Sequence, residues 1–156
     1  MEAKTEIREK NSEVLNDLIM INNDRINCYE KAAQESGDSD EDLRELFKKM
    51  AGEGRVYAEE LKCNIIGDGS KPKDETTLLG GIYNTWIYIK SRIFGTTRKD
   101  ILESCECMED AAQRAYRKAL ESNALTGFSR RMVNNQKIRL MYTHDKIRRL
   151  CEMQVY

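Results

Sequence analysis

Apolar residues along this chain return every third or fourth position through long tracts and do not alternate over a strand's length, which predicts helices throughout. Asn11 or Ser12 is placed to cap a first helix running to about Ser36, with Val14, Leu15, Leu18, Ile21, Arg25, Tyr29, Ala32 and Ala33 on its inner side. Gly37-Asp-Ser-Asp is a turn, and a second helix from about Glu41 to Ile66 carries Leu43, Phe47, Met50, Gly54, Tyr57 and Leu61 on one face. Gly54 in the middle of that stripe costs helix stability, which points to close packing or vacated space. The loop from Gly67 to Glu75 holds the only proline. It leads to a shorter helix over about 76–94, in which Leu79, Ile82, Trp86, Ile89 and Ile93 step by three and four. Thr97 or a neighbour caps the next helix, Ile101 to Ser122, and the last runs from about Phe128 to the C-terminus with Val133, Leu140, His144, Ile147 and Cys151 inward.

These tracts predict an all-α fold. Residues 1–10 read as an N-terminal extension and 11–156 as one helical bundle of four long helices. Val14–Glu35 overlays on Ile101–Ser122 at a shift of 87 residues, with Tyr29 on Tyr116, Lys31 on Lys118 and Ala32 on Ala119. The bundle is therefore expected to be two pseudo-repeated hairpins, joined by the shorter helix as a crossover.

The stripes are interrupted by polar residues, and those are the candidate chemistry. Glu109 falls inside the apolar face of Ile101, Leu102, Cys105, Met108, Ala112, Ala115, Tyr116, Ala119 and Leu120. A buried carboxylate is costly unless something pairs with it or binds it. Its counterpart in the overlay is Asn22, Arg25 lies one turn further on the same face, and His144, the only histidine, is the inward polar residue of the last helix. Asn22, Arg25, Glu109 and His144 are expected to meet at one level of the core, with Glu53, Tyr29, Tyr57 and Tyr116 as peripheral candidates.

Charge narrows the partners. Twenty-six basic and 27 acidic residues are interspersed, for a net charge of −1, so the chain carries no electrostatic footprint for nucleic acid or an anionic membrane. The start, MEAKTEIREK, reads as neither a signal peptide nor a membrane span. Five irregularly spaced cysteines suit a reducing cytoplasm, and Cys105 and Cys107 diverge by about 200° on a helix, too far to chelate one metal together. No phosphate-cradling glycine loop, Ser/His/Asp arrangement or Cys-x-x-Cys spacing is present, and no small-molecule substrate suggests itself.

The hairpin repeat, the crossover and the spacing from Glu109 to Tyr116 resemble the ferritin-like superfamily, in which rubrerythrin-type helices carry a metal-binding Glu seven residues before a Tyr. The stretches NDLIMINNDRINCYEKAA, MEDAAQRAY and THDKIRRL resemble an uncharacterised bacterial family of small ferritin-like bundle proteins. The resemblance implies a ferritin-like four-helix bundle and, at the position of a di-iron site, a degenerate set of ligands. Glu109 and His144 remain, Asn22 stands in place of the first helix's acid, and Met141 lies three before His144. Gly54 falls where the second helix's acid belongs, with Glu53 one position off. Two of six ligand positions survive, too few oxygen donors for a dinuclear iron centre. The expectation is a non-enzymatic cytoplasmic protein without a cofactor, acting through assembly as a homo-oligomer or through partner binding, with a stress role in view. The alternative is a residual redox protein holding iron or another divalent metal on Glu109 and His144.

Overall fold

A computed structural model of the chain describes residues 2–73, 82, 83, 86, 95 and 97–153. Among them every regular element is helical: α1 (Glu2–Glu35), α2 (Glu41–Gly67), α3 (Arg98–Glu121) and α4 (Gly127–Glu152), with one short 3-10 turn at Asp38–Asp40. The crossover helix expected over 76–94 lies outside the described residues except for Ile82, Tyr83 and Trp86, which are helical.

Local chemistry sets most of the boundaries. Thr97 caps α3, its hydroxyl accepting from Asp100 N at 3.1 Å. Gly69, at φ +84°, turns the chain out of α2 while Gly69 N and Ser70 N bond back to the carbonyls of Ile66 and Ile65. Arg98 ties the start of α3 to the start of α2 through Asp40 (2.6 Å) and Asp42 (3.2 Å).

The first helix begins nine residues before the expected cap. Asn11 is inside α1 and its side chain serves a different helix: Asn11 Oδ1 accepts from the backbone N of Thr126, the residue that opens α4, at 3.0 Å. Residues 2–10 form no apolar stripe and are exposed. They continue the helix because an already nucleated helix extends cheaply through Glu, Ala, Lys and Arg.

α1 packs mainly on α2 and α3 mainly on α4, while contact between α1 and α3 joins the two hairpins. α2 and α4 meet at few points, which leaves a groove between them. The core is one cluster drawn from all four helices, with Leu15, Leu18, Phe47, Leu61, Leu102, Met108, Val133, Leu140 and Ile147 among its buried members. Tyr83 and Trp86 are docked on α1 through a polar anchor that the stripes did not reveal. Trp86 is 1% exposed, and both its Nε1–H and the Tyr83 hydroxyl donate to Asp24 Oδ2 at 2.9 Å.

Candidate functional site

A layer of polar side chains crosses the middle of this core. Glu109 on α3 and Arg25 on α1 are 0% and 1% exposed. Arg25 donates from Nη2 (2.8 Å) and Nε (3.1 Å) to Glu109 Oε1, and from Nη1 to Asn22 Oδ1 at 2.9 Å. The Tyr29 hydroxyl donates a short bond to the same Glu109 oxygen, and the guanidinium carbon stands 5.8 Å from the Tyr29 ring centre. Glu109 Oε1 thus collects three donors, while Oε2 has no hydrogen-bond partner among the described residues.

Asn22 carries the layer onward. Its Nδ2 donates to Leu18 O and to the Tyr116 hydroxyl, both at 2.9 Å, and that hydroxyl donates to Gln136 Oε1 on α4 at 2.7 Å. Gln136 Nε2 then reaches α2, at Tyr57 O (3.2 Å) and Glu60 Oε1 (3.0 Å), and Arg139 closes on Glu60 at 2.7 Å. One continuous network therefore touches all four helices, from a fully buried carboxylate to a half-exposed ion pair. The two tyrosines are reciprocal: Tyr29 of α1 bonds the polar intrusion of α3, and Tyr116 of α3 bonds that of α1.

Packing makes room for the layer. A Cβ on Gly54 would stand 2.9 Å from Ile26 Cγ1 and 3.8 Å from Arg25 Nη1, so the glycine lets α2 close over the guanidinium. Its place in the stripe reflects close approach rather than vacated space.

Burial sets the protonation states. It acts against the Arg25 charge, but Glu109 and then Tyr29 reverse that, and the guanidinium pKa ends above its ordinary value. Burial followed by the Glu109 charge pushes the Tyr29 hydroxyl well above the usual range, and burial does the same to Tyr116 against the opposing bond from Asn22. Cys105, one turn before Glu109, is pushed up by burial and then by that carboxylate, so its thiol stays protonated and is a poor nucleophile.

Of the residues singled out from the sequence, Asn22, Arg25 and Glu109 stand in direct contact, with Tyr29 and Tyr116 completing the set. His144 does not join them. Its Nε2–H bonds the Asp110 carboxylate and its Nδ1 lies 3.6 Å from Asp145, on the flank of α4 that faces α3. The inward stripe of α4 is Ser129, Val133, Gln136, Leu140, Thr143 and Ile147, which rotates position 144 to the edge. Glu53 sits at the α2–α4 seam, accepting a long 3.5 Å bond from Thr143, and Tyr57 lies under the Arg139 guanidinium at 4.7 Å. Gln136 and Asp24 escaped the sequence reading. Gln136 was visible as a polar residue in step with Val133 and Leu140, whereas nothing local marks Asp24, which accepts from Tyr83 and Trp86.

The donor set does not fit a dinuclear metal centre. Arg25 places a fixed positive charge on Glu109, Asn22 is engaged at both ends of its amide, Gly54 offers no donor and Met141 faces outward. Among the described residues no group of three or more His, Cys, Asp or Glu stands where one ion could be held. No helix among them is long and apolar enough to cross a membrane.

Fold and layer together define the class of molecule: an all-α bundle crossed by a buried ion pair. The chain belongs to the family described as Domain of unknown function (DUF2383), whose model matches residues 10–122, a span that takes in Asn22, Arg25, Tyr29, Glu109 and Tyr116 and stops short of Gln136. No curated protein and no solved structure matches it.

Proposed function

We propose that this chain is a ferritin-like bundle of two pseudo-repeated hairpins in which an ion pair occupies the place of a metal site, and that it works without turnover, through assembly or partner binding, in a bacterial cytoplasm. The observation that carries the reading is the Arg25 guanidinium, buried and 2.8 Å from Glu109 Oε1. A cation supplied by the chain neutralises the carboxylate with directed hydrogen bonds, which removes the reason for that carboxylate to recruit a metal. The reciprocal contacts of Tyr29 and Tyr116 are what a pseudo-repeat would produce, and they support it. The network fixes the register of all four helices, which suits a rigid body that others dock on.

A residual metal or redox role for Glu109 and His144 has one observation in its favour, the unpartnered Glu109 Oε2. Against it, His144 spends its Nε2 on Asp110. Elemental analysis of protein purified without chelators tests the choice, together with hydrogen-peroxide consumption. The expected result is metal far below one equivalent per chain and no peroxide turnover. Iron near two equivalents, lost together with peroxide consumption in Glu109→Ala, would overturn the ion-pair reading.

A further inference from the structure

The seam between α2 and α4 is the least closed side of the bundle. A groove of about 890 Å³ runs along it, with Val56 and Cys63 on the α2 wall and Phe128 and Met132 on the α4 wall. A second hollow of about 380 Å³ continues it past Val56 to Tyr142. Val56, Phe128 and Tyr142 are 50%, 67% and 74% exposed, so the seam presents a connected row of large apolar side chains to solvent. Gly52 lies on the same face of α2, where an added Cβ would meet nothing within 4 Å. A glycine there weakens the helix, and no packing among the described residues offsets it.

The two walls carry opposite charge. α2 contributes Glu53 and Glu59 along the seam, while its Arg55 is already held by Glu30 of α1 and its Glu60 by Arg139 of α4. α4 contributes Lys146, Arg131 lies over the Phe128 ring, and the whole helix has seven Lys and Arg to two acids, against five to six in α2. A nucleic acid or an anionic membrane would be attracted by one wall and repelled by the other. A second copy is not, provided that the two-fold axis runs along the groove. That rotation lays the acidic α2 wall of each copy on the basic α4 wall of the other, at the same height.

We propose that the α2–α4 face binds a second copy of this chain, forming a homodimer about a two-fold axis parallel to these helices. The proposal deepens the assembly reading and rests on it. The available area is adequate: helices of 27 and 26 residues give a face about 40 Å long and about 20 Å wide, close to the roughly 800 Å² per partner of a standard interface. Val56 and Tyr142 would form an apolar patch near mid-face and Phe128 a second one at the end where α4 starts, with the charged residues flanking them. Thr143 bonds Glu53 within one chain, which puts Glu53 and Lys146 within a turn of one level and makes them partners across the axis.

Sedimentation equilibrium of the full chain across micromolar concentrations tests this. The wild type is expected at twice 18.1 kDa. Val56→Glu and Phe128→Asp, both at exposed positions, should each raise the dimer Kd by at least about tenfold, as burying a carboxylate in an apolar contact does. Their circular dichroism and melting curves should remain those of a folded bundle. Glu53→Lys and Lys146→Glu should each weaken association severalfold, and the two together should recover it. A wild type that stays monomeric to about 100 μM, well above the Kd expected of a standard-size interface, would overturn the proposal. A dimer indifferent to both apolar substitutions would also overturn it, as would failure of the charge pair to recover. Metal content and peroxide consumption report on the internal ion pair and sedimentation on the interface, so either reading can fail alone.

Discussion

Replacing Arg25 by Met keeps most of the side chain's volume and removes its charge, which isolates the electrostatic role of the buried pair. The variant strands Glu109, a carboxylate with 0% exposure, leaving it only the Tyr29 hydroxyl as a donor. Breaking a buried pair from one side costs about 3–5 kcal/mol. Asn22 Oδ1 also loses the Nη1 donor at 2.9 Å, an additional cost of about 1 kcal/mol. A loss of about 5 kcal/mol is therefore expected, visible as a melting point lower by ~15 °C for a chain of this size. Glu109→Leu alone strands the guanidinium and should cost about as much. The two together leave no buried charge, only an idle Tyr29 hydroxyl and Asn22 carbonyl, so the double variant should lie about 2–3 kcal/mol below wild type, less than either single loss. Adding Tyr29→Phe should recover about 1 kcal/mol more by removing the idle donor. Urea denaturation followed by far-ultraviolet circular dichroism gives all four numbers. Additive losses for Arg25→Met and Glu109→Leu would refute the reasoning, because they would mean that each group is stabilised by something other than its partner.

Gly54→Ala improves helix propensity yet sets a methyl 2.9 Å from Ile26 Cγ1, so a net loss of about 1–2 kcal/mol is expected from overpacking; a stabilised variant would show that α1 and α2 have slack there. Trp86 should emit to the blue of a solvated indole and resist iodide quenching, and Trp86→Phe, which strips one donor from Asp24 Oδ2, should cost about 1–3 kcal/mol; an exposed emission spectrum would show that the crossover is not docked on α1. Burial, then the bond to Asp24, raises the Tyr83 pKa from 10.0 to about 12, and burial, then the bond to Glu106, raises Cys151 from 9.0 to about 12. Groups raised in the folded state stabilise it fully below their unfolded pKa and lose that contribution as pH climbs to the folded value. The urea midpoint should therefore hold up to about pH 9 and fall between about pH 9 and 12, with Tyr83→Phe and Cys151→Ala flattening the fall; a midpoint level across that window would contradict it.

The helices were legible in the sequence because each buries a stripe against its neighbours, and a stripe is a property of one segment. Where the end of a helix is decided by adjacent residues, as at Thr97, the boundary could be read to within a residue. It could not be read at the start of α1, where Asn11 looks like a cap but gives its acceptor to Thr126, 115 positions away. Capping chemistry identifies a residue able to satisfy a free N–H; the fold decides whose N–H it is.

The polar layer divides along the same line. Asn22, Arg25 and Glu109 stood out because each interrupts an apolar stripe on its own helix, and a buried intrusion of one charge demands its opposite nearby. His144 was placed inward by a stripe drawn through Val133, Leu140, His144, Ile147 and Cys151. The true stripe of α4 passes through Gln136, Leu140 and Thr143, and an error of one position, about 100° on the wheel, was enough to put His144 where the core holds Thr143 and to pass over Gln136. The exchange matters for function. A histidine beside Glu109 would have put a second metal donor in the core, whereas Gln136 accepts from Tyr116 and donates to Tyr57 O and Glu60, passing the network outward to the α2–α4 seam. The buried ion pair and the open face are thus linked through one side chain. Gln136→Leu, which keeps the volume and cuts that link, is the substitution through which a change in the core would be felt at the surface where a second copy is proposed to dock.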